Sequence, residues 1–455
     1  MASDIEDIDE EYLSNNQSMW DGYLDLGAPD KICSKCDVVI WNHEKNNKSS
    51  PNKPPTFSLC CKNGQVVLDK EKQPPKPLAT LLTGGVHFKH FKQNIRFYNC
   101  MSSTGGKIDH SINRGGAPYC FKVQGVNYHN IGSLVPTDDN TPKFYQLYIY
   151  DTEDEINNRI NAVNGGRDVV NEEIVRSLMH MLDEHNRLVK DFRIARERVR
   201  QNAVDEFKLV LISSSSASGR PNHIAPSNER IFETDPHFMQ LQYPLLFPHG
   251  DIGYYREIPL NRPVKHSKRD IEVTESEDPN EKGAREYITM REFYNYKLMI
   301  RLSEGLTPHL GGRLWQRYVV DAFIAIEQYR LDWIRDHQTT IRFDLYYNMR
   351  DAMQKGDRNP SNIGKAIILP ASFTGSKRYM TQYFKDSLAI CQTLGHPSLF
   401  RTMITNTKWP KIQLMLKHVP GADVADAPDV VARVFKMKVD QLMDMIKKKN
   451  CLADV

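Results

Sequence analysis

The sequence predicts an α+β protein in three parts: a small zinc-knuckle unit, a middle domain of mixed strand and helix, and a C-terminal segment of sheet and helix. Three observations carry this. Stretches at 153–200, 313–338 and 428–449 repeat apolar residues at the helical period. Between them lie short β-branched and aromatic runs bounded by Gly, Pro, Asn and Asp, the punctuation of strands and turns. Four of the eight cysteines, Cys33, Cys36, Cys60 and Cys61, crowd into the start of the chain.

Composition sets the bounds. A chain of 455 residues is long enough for two or three hydrophobic cores. The 60 basic and 57 acidic residues nearly cancel, leaving a net charge of +3, so any DNA contact requires local basic patches. No apolar run approaches the ~18 residues of a membrane helix, and no membrane partner is expected. The acidic start MASDIEDIDEEYLSNN lacks the apolar core of a signal peptide, and residues 1–30 read as a flexible tail. Eight cysteines are too sparse for a disulfide scaffold, which fits a reducing compartment.

Residues 31–71 form the cysteine-bearing unit. Cys33-Ser-Lys-Cys36 is a C-x2-C knuckle, and Cys60-Cys61 begins 24 positions later (60 − 36). Thiolates suit zinc, a borderline-soft ion, and two such pairs brought together make the closed tetrahedral site of a structural metal. In comparable peptides such a site contributes on the order of 10 kcal/mol to folding. The vicinal pair is the weaker half, because adjacent side chains diverge along an extended backbone. His43 therefore competes with Cys61 for the fourth position, with Cys61 favoured. The alternative is a hairpin of reduced cysteines holding no metal. Lys31, Lys35, Lys45 and Lys48 lie near the knuckle and are the candidate phosphate contacts. Cys100, Cys120, Cys391 and Cys451 are isolated and read as packing residues.

The run KQPPKPL (72–78) reads as a linker. The middle domain spans 79–365, with strands expected in APYCFKVQGVNYHNIGSL, KFYQLYIYD and EFKLVLI and mobile loops at 213–230 and 261–284. In the first helical block Leu178, Met181, Leu182, Leu188, Phe192, Ala195 and Val199 mark the buried face. Arg187, Lys190, Arg193, Arg196, Arg198 and Arg200 oppose it, diluted by acids, and read as a solvated face. Helices follow at 287–303 and 313–338, the second with Trp315, Val319, Ala322, Phe323, Ile326 and Trp333 as its core stripe. His87-Phe-Lys-His90 has no acidic ligand nearby and is not read as a metal site.

From 366 to 455 the pattern is a short strand AIILP, a helix ending before Gly395, a strand LFRTMIT (399–405), and a last helix over 428–449. Pro428 opens that helix, and Val431, Val434, Phe435, Leu442, Met445 and Ile446 are expected to face inward.

Several ordered blocks resemble one family. They include WNHEKNNKSSPNKPPTFSLCCKNGQVVL, DPHFMQLQYPLLFPHGD, GRLWQRYVVDAFIAIEQYRLDWIR and ILPASFTGSKRYM, followed by GHPSLF and WPKI. These resemble the N-terminal helicase-like region of plant-type Helitron transposases, rolling-circle proteins with an HUH endonuclease (Rep) region followed by a helicase. The resemblance implies a zinc-finger-like element, a DNA-handling domain and the start of a Rep fold at 366–455, with LFRTMITNTKWP as its first strand motif. It further implies a DNA partner, single strands included, and a nuclear setting.

The chemistry of the full family requires a His-x-His metal site, a tyrosine nucleophile beyond it and a phosphate-cradling loop. None of the 15 histidines is followed two positions later by another, and no tyrosine follows the WPKI run. No G-x-x-x-x-G-K-[ST] loop occurs, so no ATP site is expected; Gly364-Lys365-Ala366 lacks its glycine and hydroxyl. The expectation is a truncated copy that binds DNA and has no catalytic residues of its own. A stand-alone zinc-dependent module that binds DNA or protein is the alternative.

Overall fold

The computed structural model describes residues 27–46, 55–99, 103–108, 123–130, 148, 154–161, 163, 169–201, 212–213, 222–223, 230–264, 285–338, 367, 369–397 and 402–449. Within these residues the fold is α+β: long helices with several small antiparallel sheets.

The chain enters through a hairpin of β1 (Lys31–Ile32) and β2 (Val39–Ile40), with Lys31 opposite Ile40 and Ile32 opposite Val39. Alternation along the second strand divides the protein's interior, because successive side chains leave a strand on opposite faces. Val38 and Ile40 point into the larger core, while Val39 and Trp41 point into a second core built from the C-terminal helices. The cysteine hairpin thus sits between the two.

Helix α1 (Lys76–Thr83) begins with proline in its first turn, where the missing N–H costs nothing. It buries Leu78, Leu81 and Leu82. The expected linker at 72–78 therefore ends in a packed helix, and Glu71 to Gln73 lie against residues 304–307. Helix α2 (Phe88–Tyr98) buries Phe91 and Ile95. A three-stranded antiparallel sheet follows in the order β3 (Ser103–Ile108), β4 (Val123–Asn130), β7 (Arg230–Phe232). Its central strand lies in the first of the expected strand segments. Most of KFYQLYIYD and of EFKLVLI lies outside the described residues. Two-residue strands β5 (Ile212–Ser213) and β6 (Asn222–His223) pair with each other.

The block at 153–200 resolves into α3 (Glu155–Asn161), α4 (Glu172–His185) and α5 (Arg187–Gln201), with Asn171 capping the second. Leu178, Met181, Leu182, Leu188, Phe192 and Ala195 are buried as expected. Arg193 is no free member of a basic stripe: its guanidinium bonds Asp183 at 2.8 Å and the buried Glu155 at 2.9 Å, over the ring of Tyr148.

Helix α6 (Phe238–Gln242) is wholly buried. Strand β8 (Pro259–Val264) pairs with β9 (Arg285–Tyr287), so residues 261–264 of the expected mobile loop are strand. Helix α7 (Met290–Lys297) opens with Thr289 and Glu292 in a reciprocal capping box. Helix α8 (Arg313–Asp336) is the central beam, burying Trp315, Val319, Ala322 and Ala325. Phe323 departs from the expected stripe and is 63% exposed, because the buried face runs through Tyr318, Ala322 and Ala325 instead.

The C-terminal part holds α9 (Lys377–Leu394), α10 (Pro410–Leu416) and α11 (Pro428–Lys449). Ser376 caps the first, and Gly395 closes it at φ 85°, in the left-handed region. The second core joins Ile412, Met415 and Leu416 to Val430, Val434 and Met437. The inward stripe of α11 is thus Val430, Val434 and Met437, with Val431 and Phe435 at its edge. The strands expected in AIILP and LFRTMIT do not form in their described parts, 367, 369–370 and 402–405, which are irregular chain. Short apolar runs carry no periodicity that distinguishes strand from a packed connection.

Candidate metal centre

Each cysteine pair is set by a tight turn. In the first, Asp37 at φ 56° lets its N–H return to the Cys33 carbonyl at 2.9 Å, and Cys33 N–H reaches the Val38 carbonyl at 3.0 Å. This folds Cys33 and Cys36 onto one side. In the second, Lys62, Asn63 and Gly64 all have positive φ, and the Gly64 N–H donates to Cys61 Sγ at 3.2 Å. The backbone at Cys61 (φ −148°, ψ 18°) is not extended, which is why the vicinal pair does not diverge. Cys60 and Cys61 turn their sulfurs to the same side, 3.7 Å apart.

The two turns face each other. Cys33 Sγ is 3.9 Å from Cys61 Sγ, and all four sulfurs lie within 4.8 Å of one another. Zinc–thiolate bonds of about 2.3 Å arranged tetrahedrally put sulfurs about 3.8 Å apart. The observed spacings match that edge and are far beyond a disulfide's ~2.05 Å. Cys33, Cys60 and Cys61 are buried and Cys36 is half-buried, so the group is closed, as a structural site is. The four cysteines can hold a metal ion. His43 lies on the short 3-10 turn Asn42–Glu44 and is outside the group, of which Cys61 is the fourth member.

Electrostatics points the same way. Hydrogen bonds from Cys36, Cys60 and Cys61 hold the Cys33 thiol far below its usual range. Contacts with Cys33 and then Cys36, with burial, push Cys60 and Cys61 far up, although Cys60 acts downward on Cys61. For Cys36 the hydrogen bond with Cys33 acts upward, but the bonds with Cys60 and Cys61 and the nearby Arg301 outweigh it and leave the thiol at about 7. Four sulfurs this close cannot all ionise in a buried setting without a cation among them.

The neighbouring lysines are less uniform than their sequence clustering suggests. Lys31 pairs with Asp30 at 2.8 Å. Lys35 is exposed, with its stem against Gly64, and Lys45 is half-buried at the end of the 3-10 turn. Lys48 lies outside the described residues. His87 stands at the start of α2 with its Nε2 3.8 Å from Glu173, an acidic neighbour that local sequence does not reveal, and His90 is hydrogen-bonded to Tyr98.

Sequence reasoning misses the residues that surround the centre from afar. Arg301 donates from Nε to the Cys36 carbonyl at 3.0 Å across 265 positions. Asn295 donates to the Leu59 carbonyl, and Lys62 pairs with Glu292 at 2.9 Å. The Cys-x2-Cys spacing signals the ligands; nothing local signals these distant partners.

Among the described residues no helix is long and apolar enough to cross a membrane. No curated protein matches the chain. Residues 293–455 match the family described as "Helitron helicase-like domain at N-terminus"; the stretches that resemble it upstream of residue 293 fall outside the match. That match takes in Arg301, α8 and the whole second core except the cysteine hairpin's own Val39 and Trp41, so it is the C-terminal part of this chain that is similar to the Helitron helicase-like domain.

Proposed function

We propose that this is a Helitron transposase-related protein that binds DNA, holds a structural Zn²⁺ on Cys33, Cys36, Cys60 and Cys61, and neither nicks nor unwinds DNA itself. The family match over 293–455 carries the reading. The sulfur spacing supports zinc specifically, because a closed all-thiolate tetrahedron suits that ion and leaves no position open for a reacting water. The non-catalytic part rests on the sequence, which contains no His-x-His pair and no phosphate-cradling loop. The DNA form we favour includes single strands, and the compartment we favour is the nucleus.

The test is a gel-shift series with single- and double-stranded oligonucleotides of mixed sequence, run from 50 to 200 mM salt. Phosphate-dominated binding falls steeply over that range, because each neutralised phosphate releases counterions. Retention that is absent, or flat with salt, refutes the DNA reading. A covalent protein–oligonucleotide product refutes the non-catalytic one.

A further inference from the structure

The cysteine centre points inward. Three of its four residues belong to the main core, and both of its turns are held by the segment around α7. The first turn is tied by backbone: Val39 N–H reaches the Ile300 carbonyl at 3.0 Å, and Val38 bridges Arg301. The second is tied by Lys62 to Glu292 and by Asn295 to Leu59.

Arg301 makes the closest approach. Its side chain is 3% exposed. Nε donates to the Cys36 carbonyl, Nη1 to the carbonyls of Tyr296 at 2.7 Å and Met299 at 3.2 Å, and Nη2 lies 3.9 Å from Cys36 Sγ. The guanidinium stacks over the Tyr296 ring at 3.5 Å, with Glu304 at 3.8 Å. A buried guanidinium keeps its charge and requires compensation. Four thiolates around a divalent ion carry a net charge of −2, which a cation beside one sulfur offsets.

We propose that the four-cysteine centre is a clamp, not a nucleic-acid reading head, and that Arg301 is its positioning residue. A metal held by the cysteines is joined through Arg301 to the 290–301 segment, so that loading the centre fixes that segment and, through it, the start of the Helitron helicase-like region. This rests on the metal reading above. Groups that orient metal ligands from outside typically change metal retention 10- to 100-fold when removed.

The experiment uses the full chain loaded with Zn²⁺ or Co²⁺. Retention is measured by competition with a chromophoric chelator, and the sulfur-to-cobalt absorption band is recorded. Arg301→Met is expected to weaken retention about 10- to 100-fold and to shift the cobalt band. Arg301→Lys should fall between, since one donor is kept. Lys297→Met, which removes the 2.6 Å ion pair of the same segment with Glu71 and touches neither cysteine turn, should stay within about threefold of the parent.

Hydrogen exchange on the unmutated protein gives a second measure that needs no substitution, with peptides of α4 as the report on global unfolding. Chelation should speed exchange in peptides covering 290–301 by tenfold or more. Metal uptake with retention and cobalt band insensitive to Arg301→Met overturns the inference, and so does unchanged exchange in 290–301 on chelation. Failure of the unmutated chain to take up either ion overturns the metal reading beneath it.

Discussion

Gly305 offers the sharpest test of how the segment before α1 is built in. Its N–H donates to the Glu71 carbonyl at 2.7 Å, inside a set of contacts that also joins Glu71 N–H to Glu304 at 3.1 Å and Lys297 to Glu71 at 2.6 Å. A Cβ at Gly305 would land on the Lys72 carbonyl and within 2.9 Å of the Gln73 nitrogen. Both are backbone atoms, so no side chain can swing aside. Gly305→Ala must push two segments apart. Overpacking of this kind costs about 1–3 kcal/mol, and stretching the Gly305–Glu71 bond costs about 1 kcal/mol more. The sum, about 3 kcal/mol, is roughly a hundredfold in the folding equilibrium. Urea unfolding followed by tryptophan fluorescence should show the loss as a lower midpoint at unchanged slope. Gly84→Ala is the control: its backbone is extended at φ 172°, its Cβ would meet nothing within 4 Å, and the change should stay within about 0.5 kcal/mol. Coincident midpoints for the two variants would show that residues 71–73 do not lie against 304–307.

Further outcomes follow from the same geometry. Cys61→Ser should cut the bound zinc measured by elemental analysis, whereas His43→Ala should leave it at the parent's level; the reverse result would put the histidine in the fourth position. Two buried groups should shape stability against pH in opposite senses. Burial pushes the Glu233 carboxyl from 4.5 up to about 7, with its own N–H and Arg256 acting downward and Asp332 upward. An acid raised in the folded state costs nothing below pH 4.5, and stability is lost as pH climbs through about 7. Glu233→Gln should abolish that loss, and superimposable urea midpoints from pH 5 to 8 for variant and parent would refute it. Burial pushes His309 from 6.5 down to about 4, so its contribution is complete above pH 6.5 and is lost as pH falls toward 4. His309→Phe should flatten that acid-side decline in the same measurement.

Much of the helical framework is legible in the sequence because local signals agree. Pro428, the apolar repeat and the terminal lysines place α11, and Gly395 marks the end of α9. Helix α2 is missed although Phe88, Phe91, Ile95 and Tyr98 share one face, because the strand-like runs after it dominate the segment's composition. Helix α1 is missed because the three prolines and two lysines of residues 72–78 resemble a spacer, while its leucines find a core only in three dimensions. The inward face of α11 includes the expected Val434, but Val430 and Met437 take the places expected for Val431 and Phe435, since apolar residues occupy adjacent stripes and the packing against α10 decides between them. The ligand cysteines are legible from spacing. The turn that makes Cys60 and Cys61 converge depends on positive φ at Lys62, Asn63 and Gly64; Asn and Gly favour that region, but nothing in the sequence announces it at Lys62.

Helix α9 has no buried residue along its 18 positions, and Met380, Phe384 and Leu394 stand open to water. Among the described residues no element covers it, so its order there comes from its Ser376 and Gly395 ends and its intrinsic propensity, and a helix of this length standing alone is marginal in water. Heating should unwind it gradually, as a sloping circular-dichroism baseline well before the cooperative melting of the helices that share a core.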